Sequence, residues 1–345
     1  MSFKNHKILF CIMLACYSNC LLYGETVKLG QQGQWNSASD SGKADLATEI
    51  SEFKQMINSS QASKALKKAE QLKKDWPQLQ SDDFDAFVEC EILYAKESHL
   101  KAARKYKEFT EKYPQSVFFD AAIERLYDLS VLFINGQRVT RLWVLRLKAY
   151  EEADSLMRYI AERTGDAPIA QRALITLAQG YEKRGEYLEA YQVWSDITDK
   201  WPVGKLGQES LLGMSRSLHS SYRGPKYASQ NLENAESYYK DLELRYPETA
   251  EELDIKSQIN LIEEQKAFKE YSIARYYEMT NEKEAAGLYY QSVIDEWSKS
   301  AAGQLSKNDY RKMLTTVEKK KRRGPVEWWF YPENEEKMFF FKLPD

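Results

Sequence analysis

Residues 171–202 read QRALITLAQGYEKRGEYLEAYQVWSDITDKWP, and the order of large, small and aromatic side chains in this stretch decides the fold. Apolar residues recur every three or four positions on both sides of Gly185, the period of two amphipathic helices joined by a turn. Ala178 and Ala190 are small where the two helices cross, which lets their backbones approach. Tyr181 and Trp194 are large enough to fill the space between this hairpin and its neighbour. Pro202 stops the second helix, because it lacks an N–H and disfavours helix in the residue before it.

The same punctuation recurs along the chain. Trp76-Pro77, Tyr113-Pro114, Trp201-Pro202 and Tyr246-Pro247 each close an amphipathic segment, and Trp297-Ser298 takes the place of a fifth. Their spacings of 37, 88, 45 and 51 residues fit units near 34 with insertions, the 88 spanning two units. With Leu177, Ala178, Tyr181, Ala190, Trp194 and Pro202 as its marks, the unit at 171–202 has the tetratricopeptide pattern. The last unit repeats it with Ile273, Ala274, Tyr277, Ala286 and Tyr290 before Ser298. Weaker units keep Ala65, Ala102 with Tyr106, and Ala235 with Tyr239.

The reading is an all-α, tetratricopeptide-type α-solenoid of five to six helical hairpins. They lie near 45–77, 82–114, 117–164, 168–202, 206–247 and 253–298, with turn insertions around Asn135 to Trp143 and Ser220 to Gln230. A cap helix from Leu305 to Arg323 and an aromatic tail at 324–345 follow. Each hairpin alone cannot bury its apolar face, so the stack is the stable object.

The ends carry other signals. Lys4 and Lys7 precede Ile8-Leu9-Phe10-Cys11-Ile12-Met13-Leu14-Ala15-Cys16, the charged and apolar regions of a signal peptide spanning residues 1–24. Ser18 and Asn19 break the run short of a membrane span. Ala15 before Cys16 makes Cys16 the candidate lipidation site, with ordinary cleavage near Gly24 as the alternative. Residues 25–43, rich in Gly, Ser, Gln and Asn, read as a flexible linker before a repeat domain at 44–323. Lys319-Lys320-Lys321-Arg322-Arg323 places cations at a helix C-terminus, where the dipole favours them, although anionic lipid could also attract the run. Seven aromatics stand among the 14 residues from Trp328 to Phe341. They are expected to fold onto the last hairpin or to dock in a partner or membrane interface.

Composition narrows function. The 345 residues carry 49 Lys and Arg against 52 Asp and Glu, which disfavours a general nucleic-acid binder. Three of the four cysteines and one of the three histidines lie in the leader, so neither a disulfide framework nor a Cys/His zinc cluster is expected. There is no Gly-rich phosphate loop, no Gly-x-Ser-x-Gly elbow and no His-Glu-x-x-His helix. Glu151-Glu152, Glu251-Glu252 and Glu263-Glu264 diverge by about 100° on a helix and read as solvent face. His99 and His219 read as surface residues and Cys90 as a core residue. No enzymatic activity, cofactor or metal is expected.

The stretch Tyr271-Ser272-Ile273-Ala274-Arg275-Tyr276-Tyr277, then Ala285-Ala286 and Trp297-Ser298, resembles the last repeat of the BamD family. These are tetratricopeptide lipoproteins of the outer-membrane β-barrel assembly machine. Asn231-Leu232-Glu233-Asn234-Ala235, followed by Tyr239, Leu242 and Tyr246-Pro247, is similar to an earlier repeat of that family. The resemblance covers roughly residues 45–310 and is specific from about 170 onward. It implies a scaffold whose C-terminal repeats bind the POTRA domains of the barrel subunit. The N-terminal repeats would meet other envelope lipoproteins or unfolded barrel segments. Leu288-Tyr289 stands where the family carries an Asn-Arg pair.

In such stacks the first-helix residues that do not pack line a groove. By count these are Arg172, Gln179 and Glu182 in the fourth unit and Tyr271, Arg275 and Glu278 in the last, a mixture suited to an extended peptide or protein edge. Each could instead be a plain solvated position. The expectation is a non-catalytic, lipid-anchored scaffold on the periplasmic face of the outer membrane or in the soluble periplasm. The alternatives are another tetratricopeptide adaptor, serving cell-wall or polysaccharide export machinery, and an envelope enzyme on a helical scaffold.

Overall fold

The computed structural model describes residues 27–29, 35–37, 40–142 and 145–322. The expected signal peptide with Cys16 and the aromatic segment 324–345 lie outside the described residues. Among the described residues the fold is all-α with two short strand pairs, and its helices pair in sequence order as the repeat pattern requires. No described helix is long and apolar enough to cross a membrane.

The chain divides into two units at Leu129 and Ser130. The first holds α1 (Asp40–Asn58), α2 (Ala62–Asp75), α3 (Asp82–Ala95), α4 (His99–Lys112) and the start of α5 (Phe119–Ile134). Phe53, Ile57, Ala65, Ala69, Leu72, Phe84 and Val88 form one of its cores. Phe87 stacks on Phe118 with ring centroids 5.0 Å apart.

The second unit continues with α6 (Tyr150–Thr164), α7 (Pro168–Arg184), α8 (Tyr187–Lys200), α9 (Gly204–Ser220) and α10 (Gln230–Arg245). The short α11 (Pro247–Glu252) leads to α12 (Ile255–Met279), α13 (Lys283–Glu296) and α14 (Ala301–Arg322). Leu211, Leu218, Leu232, Tyr239, Leu242 and Ile262 pack together in it, and Ala274, Ala286, Tyr290 and Met313 form a further cluster.

The aromatic-Pro marks end helices as expected. Trp76, Tyr113, Trp201, Tyr246 and Trp297 each follow the last residue of a second helix, with φ between −122° and −136°. Each still donates its N–H back four residues, to Leu72, Phe109, Ile197, Leu242 and Val293. The residue before proline is pushed toward extended φ, so the helix stops there while its last bond is kept. The hairpin turns repeat as well: Ser60, Glu97, Gly185 and Asn281 all adopt positive φ, and only Gly185 does so without the Cβ penalty.

Two segments differ from expectation. Within the expected linker, β1 (Val27–Leu29) pairs antiparallel with β2 (Trp35–Ser37), and α1 begins at Asp40. Val27-Lys28-Leu29 has strand-type alternation too short to register as a signal. The insertion after α5 is a second antiparallel pair, β3 (Arg138–Leu142) with β4 (Leu145–Lys148), Val139 opposite Leu147 and Thr140 opposite Arg146. Leu145-Arg146-Leu147-Lys148 alternates apolar and basic residues with period two, whereas Arg138-Val139-Thr140-Arg141-Leu142 does not, and Val139 is buried. The second insertion, 221–229, is a loop, and the cap helix starts at Ala301, four residues earlier than expected.

Candidate functional site

The large and small marks of the fourth unit act as the sequence required. Leu177, Ala178, Ala190 and Trp194 are fully buried. Trp194 lies flat against Gly213 of α9, where a Cβ would stand 2.4 Å from the indole carbons. Tyr181 is half-buried under the Arg184 guanidinium, 4.5 Å from its ring. Pro202 is exposed just past the end of α8.

Glu182 is not a free groove residue. Its carboxylate accepts the Trp194 indole N–H at 2.9 Å, the Ser217 hydroxyl at 2.9 Å and two bonds from Arg216 at 2.8 and 2.9 Å. Arg216 follows it by 34 residues, one repeat on. The first unit contains the same arrangement. Glu91, only 2 % exposed, accepts the Tyr106 hydroxyl at 2.7 Å and two bonds from Arg125 at 3.0 Å, again 34 residues later. Burial, and then the neighbouring Glu91 charge, push the Tyr106 phenol well above its ordinary value, so it remains a donor. An acid on one hairpin, an aromatic donor and an arginine from the next first helix thus form a clasp, with all charges hydrogen-bonded.

In the last unit the predicted trio divides. Tyr271 donates to Asp309 of α14 at 2.7 Å, and Glu278 accepts the Tyr290 hydroxyl at 2.6 Å and Arg275 at 3.2 Å. Burial, followed by these acidic acceptors, raises both phenols far above their usual range. Ala274, Ala286 and Tyr290 are buried, and Tyr277 stacks on Tyr289 with centroids 5.4 Å apart. Arg275 is exposed, as are Arg172 and Gln179 on α7, where Thr176 and Lys183 share their face. Arg172 and Gln179 are thus exposed on α7, Arg275 is exposed but paired with Glu278 and Asp309, and Glu182, Tyr271 and Glu278 hold the hairpins together.

A third polar cluster joins α10, α12 and α13. Glu236 bonds to Lys240 and, at 2.8 Å, to Lys266, while Lys266 also reaches Glu263 at 3.0 Å. Burial opposes ionisation of Glu236, but the Lys240 and Lys266 hydrogen bonds outweigh it and hold the carboxyl down at about 2. Glu263 accepts the Trp297 indole N–H, and Glu264 accepts the Ala301 backbone N–H at 3.0 Å, capping α14. This pair is structural rather than a solvent face, because Glu263 meets a donor at the end of α13 and Glu264 one at the start of α14.

The residues missed by the sequence reading are Leu261, Phe268, Tyr276 and Met279, which form an exposed apolar stripe on α12. Their spacing was visible, but a second apolar face on the same helix concealed it. Cys90 is buried in α3, its thiol pushed up to about 12 by burial. His219 is half-buried, bonded to Gln265 at 3.1 Å and edge-on to Tyr239, and burial lowers its pKa. His99 opens α4, its ring 6.0 Å from Tyr94, and burial lowers its pKa too. Among the described residues no three His, Cys, Asp or Glu side chains gather as a metal-binding set.

These helical hairpins and their 34-residue clasps define the class as a tetratricopeptide-type repeat protein. No protein-family model matches the chain, and no curated protein matches it. Among solved structures it is similar to the C-terminal part of a TPR repeat-containing protein from Cytophaga hutchinsonii. That match has 12% identity and a TM-score of 0.21 and covers 74% of this chain and 97% of that one. A second is the human IFIT1 dimer with m7Gppp-AAAA, at 13% identity and a TM-score of 0.17, covering 75% of this chain and 70% of that one. At these TM-scores the fold rests on the chain's own helix order and clasps.

Proposed function

We propose that the chain is a non-catalytic scaffold of the bacterial envelope that binds protein partners in outer-membrane β-barrel assembly, a role like that of the BamD family. The observation that carries the reading is the exposed face of α7, with Arg172, Gln179 and Lys183 in line on one first helix. Such a face, on a helix held from behind by buried alanines and the Glu182 clasp, offers a rigid surface for an extended segment or a domain edge. The charged groups of the clasps are engaged in joining hairpins, in keeping with a binding rather than a chemical role.

The resemblance of residues 271–298 adds the finer part. It supports the POTRA domains of the barrel subunit as partner, with other envelope lipoproteins or unfolded barrel segments at the earlier repeats. At the position of the family's Asn-Arg pair, Leu288 is exposed and Tyr289 is stacked, so a contact made there is apolar rather than basic. A signal peptide and a lipid on Cys16 would hold the scaffold at the periplasmic face of the outer membrane.

Crosslinking in cells followed by affinity capture of the full chain tests the reading. Recovery of the barrel subunit is expected, and recovery of cell-wall enzymes without it would contradict the proposal. Metabolic labelling with a fatty acid should mark the chain and lose the mark in Cys16→Ala.

A further inference from the structure

α12 carries two apolar faces. Ile262, Ala267 and Ala274 go into the core. Leu261, Phe268, Tyr276 and Met279 recur at intervals of seven, eight and three residues on another side of the helix and stay exposed, the last two at 62 % and 66 %. This stripe runs about 27 Å along the axis at ~1.5 Å per residue. Contiguous exposed apolar surface of this kind marks a place where another molecule sits.

The stripe is the floor of a trough. Around the helix axis it lies between Lys269 on one side and Glu264 and Tyr271 on the other. Lys269 donates to the Tyr227 carbonyl at 2.8 Å and so holds the inserted loop 221–229 against α12, while Gln265 beside it is hydrogen-bonded to His219 of α9 at 3.1 Å. On the opposite side Glu264 meets the Ala301 N–H and Tyr271 donates to Asp309 at 2.7 Å, which sets α14 alongside. Loops inserted into repeats gather on one face of a solenoid, often the binding one.

Charge along the walls has one sign to spare. The Tyr227 N–H bonds to the Gly224 carbonyl at 3.0 Å, a turn that puts Lys226 at the tip of the loop with Arg223 just before it. Both cations are exposed, and among the described residues neither has a carboxylate partner. Tyr227 next to them is 55 % exposed. The carboxylates of the walls are already engaged. Glu233, at the foot of the loop, accepts the Ser229 hydroxyl at 3.1 Å, and Asp309 on α14 meets Arg275 at 3.7 Å and Lys312 at 3.3 Å as well as Tyr271. Positive charge is therefore left over beside an apolar floor, on a chain whose net charge is −3.

We propose that this trough is a second docking surface, which takes a protein segment combining apolar side chains with Asp or Glu. The apolar side chains cover Leu261, Phe268, Tyr276 and Met279, and the carboxylates meet Arg223 and Lys226. Removing the stripe from water supplies most of the attraction, while the exposed cations select the sign of the partner's charge and speed encounter. The trough is separate from the α7 face and takes this segment whatever binds there.

A random peptide library displayed on phage and selected against the purified full chain tests it. The enriched peptides are expected to join Asp or Glu to Leu, Phe or other large apolar residues. A fluorescein-labelled copy of one of them, followed by anisotropy, should bind about ten-fold more weakly to the Arg223→Glu, Lys226→Glu variant and about ten-fold more weakly to Tyr276→Ser, Met279→Ser, with unaltered melting temperatures. Enrichment of basic peptides, enrichment of none, or equal affinity in both variants would overturn the proposal. So would binding of phosphatidylglycerol vesicles or a single-stranded oligonucleotide, in place of peptide, that the Arg223→Glu, Lys226→Glu variant abolishes. The reading of the α7 face would survive each of these results.

Discussion

Arg216 reaches back across one repeat to grip Glu182, its Nη2 donating to both carboxylate oxygens at 2.8 and 2.9 Å. The same carboxylate holds the Trp194 indole, so the residue that fills the space between two hairpins is oriented by the bond that joins them. Glu91, Tyr106 and Arg125 repeat the arrangement in the first unit. Apolar area supplies most of the cohesion of such a stack. The clasps fix which turn of one helix meets which turn of the next.

The two clasps differ in burial, so their arginines differ in worth. Arg125 faces a carboxylate whose side chain is 3 % exposed, and Arg125→Ala leaves that charge buried and unpaired at a cost of roughly 3–5 kcal/mol. Arg216 is 46 % exposed, water can replace it, and Arg216→Ala should cost about 1 kcal/mol or less. Urea denaturation of the two variants checks the order; equal losses would refute the burial argument.

Gly213 is required by its contact with Trp194. Gly213→Ala forces a methyl group to within 2.4 Å of the indole carbons and should destabilise by about 1–3 kcal/mol. In a Trp194→Leu background the same alanine should cost much less. A double-mutant cycle measured by thermal unfolding will show this coupling, and simple additivity would mean that the contact is absent.

Glu236 makes stability depend on acid. Its folded pKa is depressed to about 2 from an ordinary 4.5, so its contribution is fully present above pH 4.5 and is lost as pH falls toward 2. Across that window the unaltered chain should lose stability more steeply than Glu236→Gln. Parallel slopes would show that the Lys240 and Lys266 bonds do not favour the charged form.

Glu97 occupies a left-handed turn position with φ of 55°, where Gly185 serves in the fourth unit. Glu97→Gly should therefore raise stability by roughly 0.5–1 kcal/mol, because the side chain is exposed and the Cβ penalty disappears. Differential scanning calorimetry would detect the rise, and a fall would mean that the Glu97 side chain makes a contact of value.

Helix ends were legible in the sequence because they are set locally. An aromatic residue before proline stops a helix through its own φ, and small residues at Ala178, Ala190, Ala274 and Ala286 announce helix crossings. The clasps were not legible, since the partner of Glu182 lies 34 residues away and only the stacked register brings it near. For the same reason Tyr271 and Glu278 looked like groove residues, although α14 and α13 supply the groups that engage them. The strand pair at 138–148 escaped because a period of two over the four residues of β4, with none in β3, is weak beside fourteen helices among the described residues. The α12 stripe escaped because two apolar faces on one helix blur each other.

The central claim is a protein-binding scaffold for barrel assembly, and a photoreactive residue at Gln179, on the exposed face of α7, tests it most directly in cells. The account predicts an adduct with a component of barrel assembly: the POTRA-bearing barrel subunit, another envelope lipoprotein of the machine or an unfolded barrel segment. Adducts with cell-wall enzymes alone, or no protein adduct at that face, would contradict it.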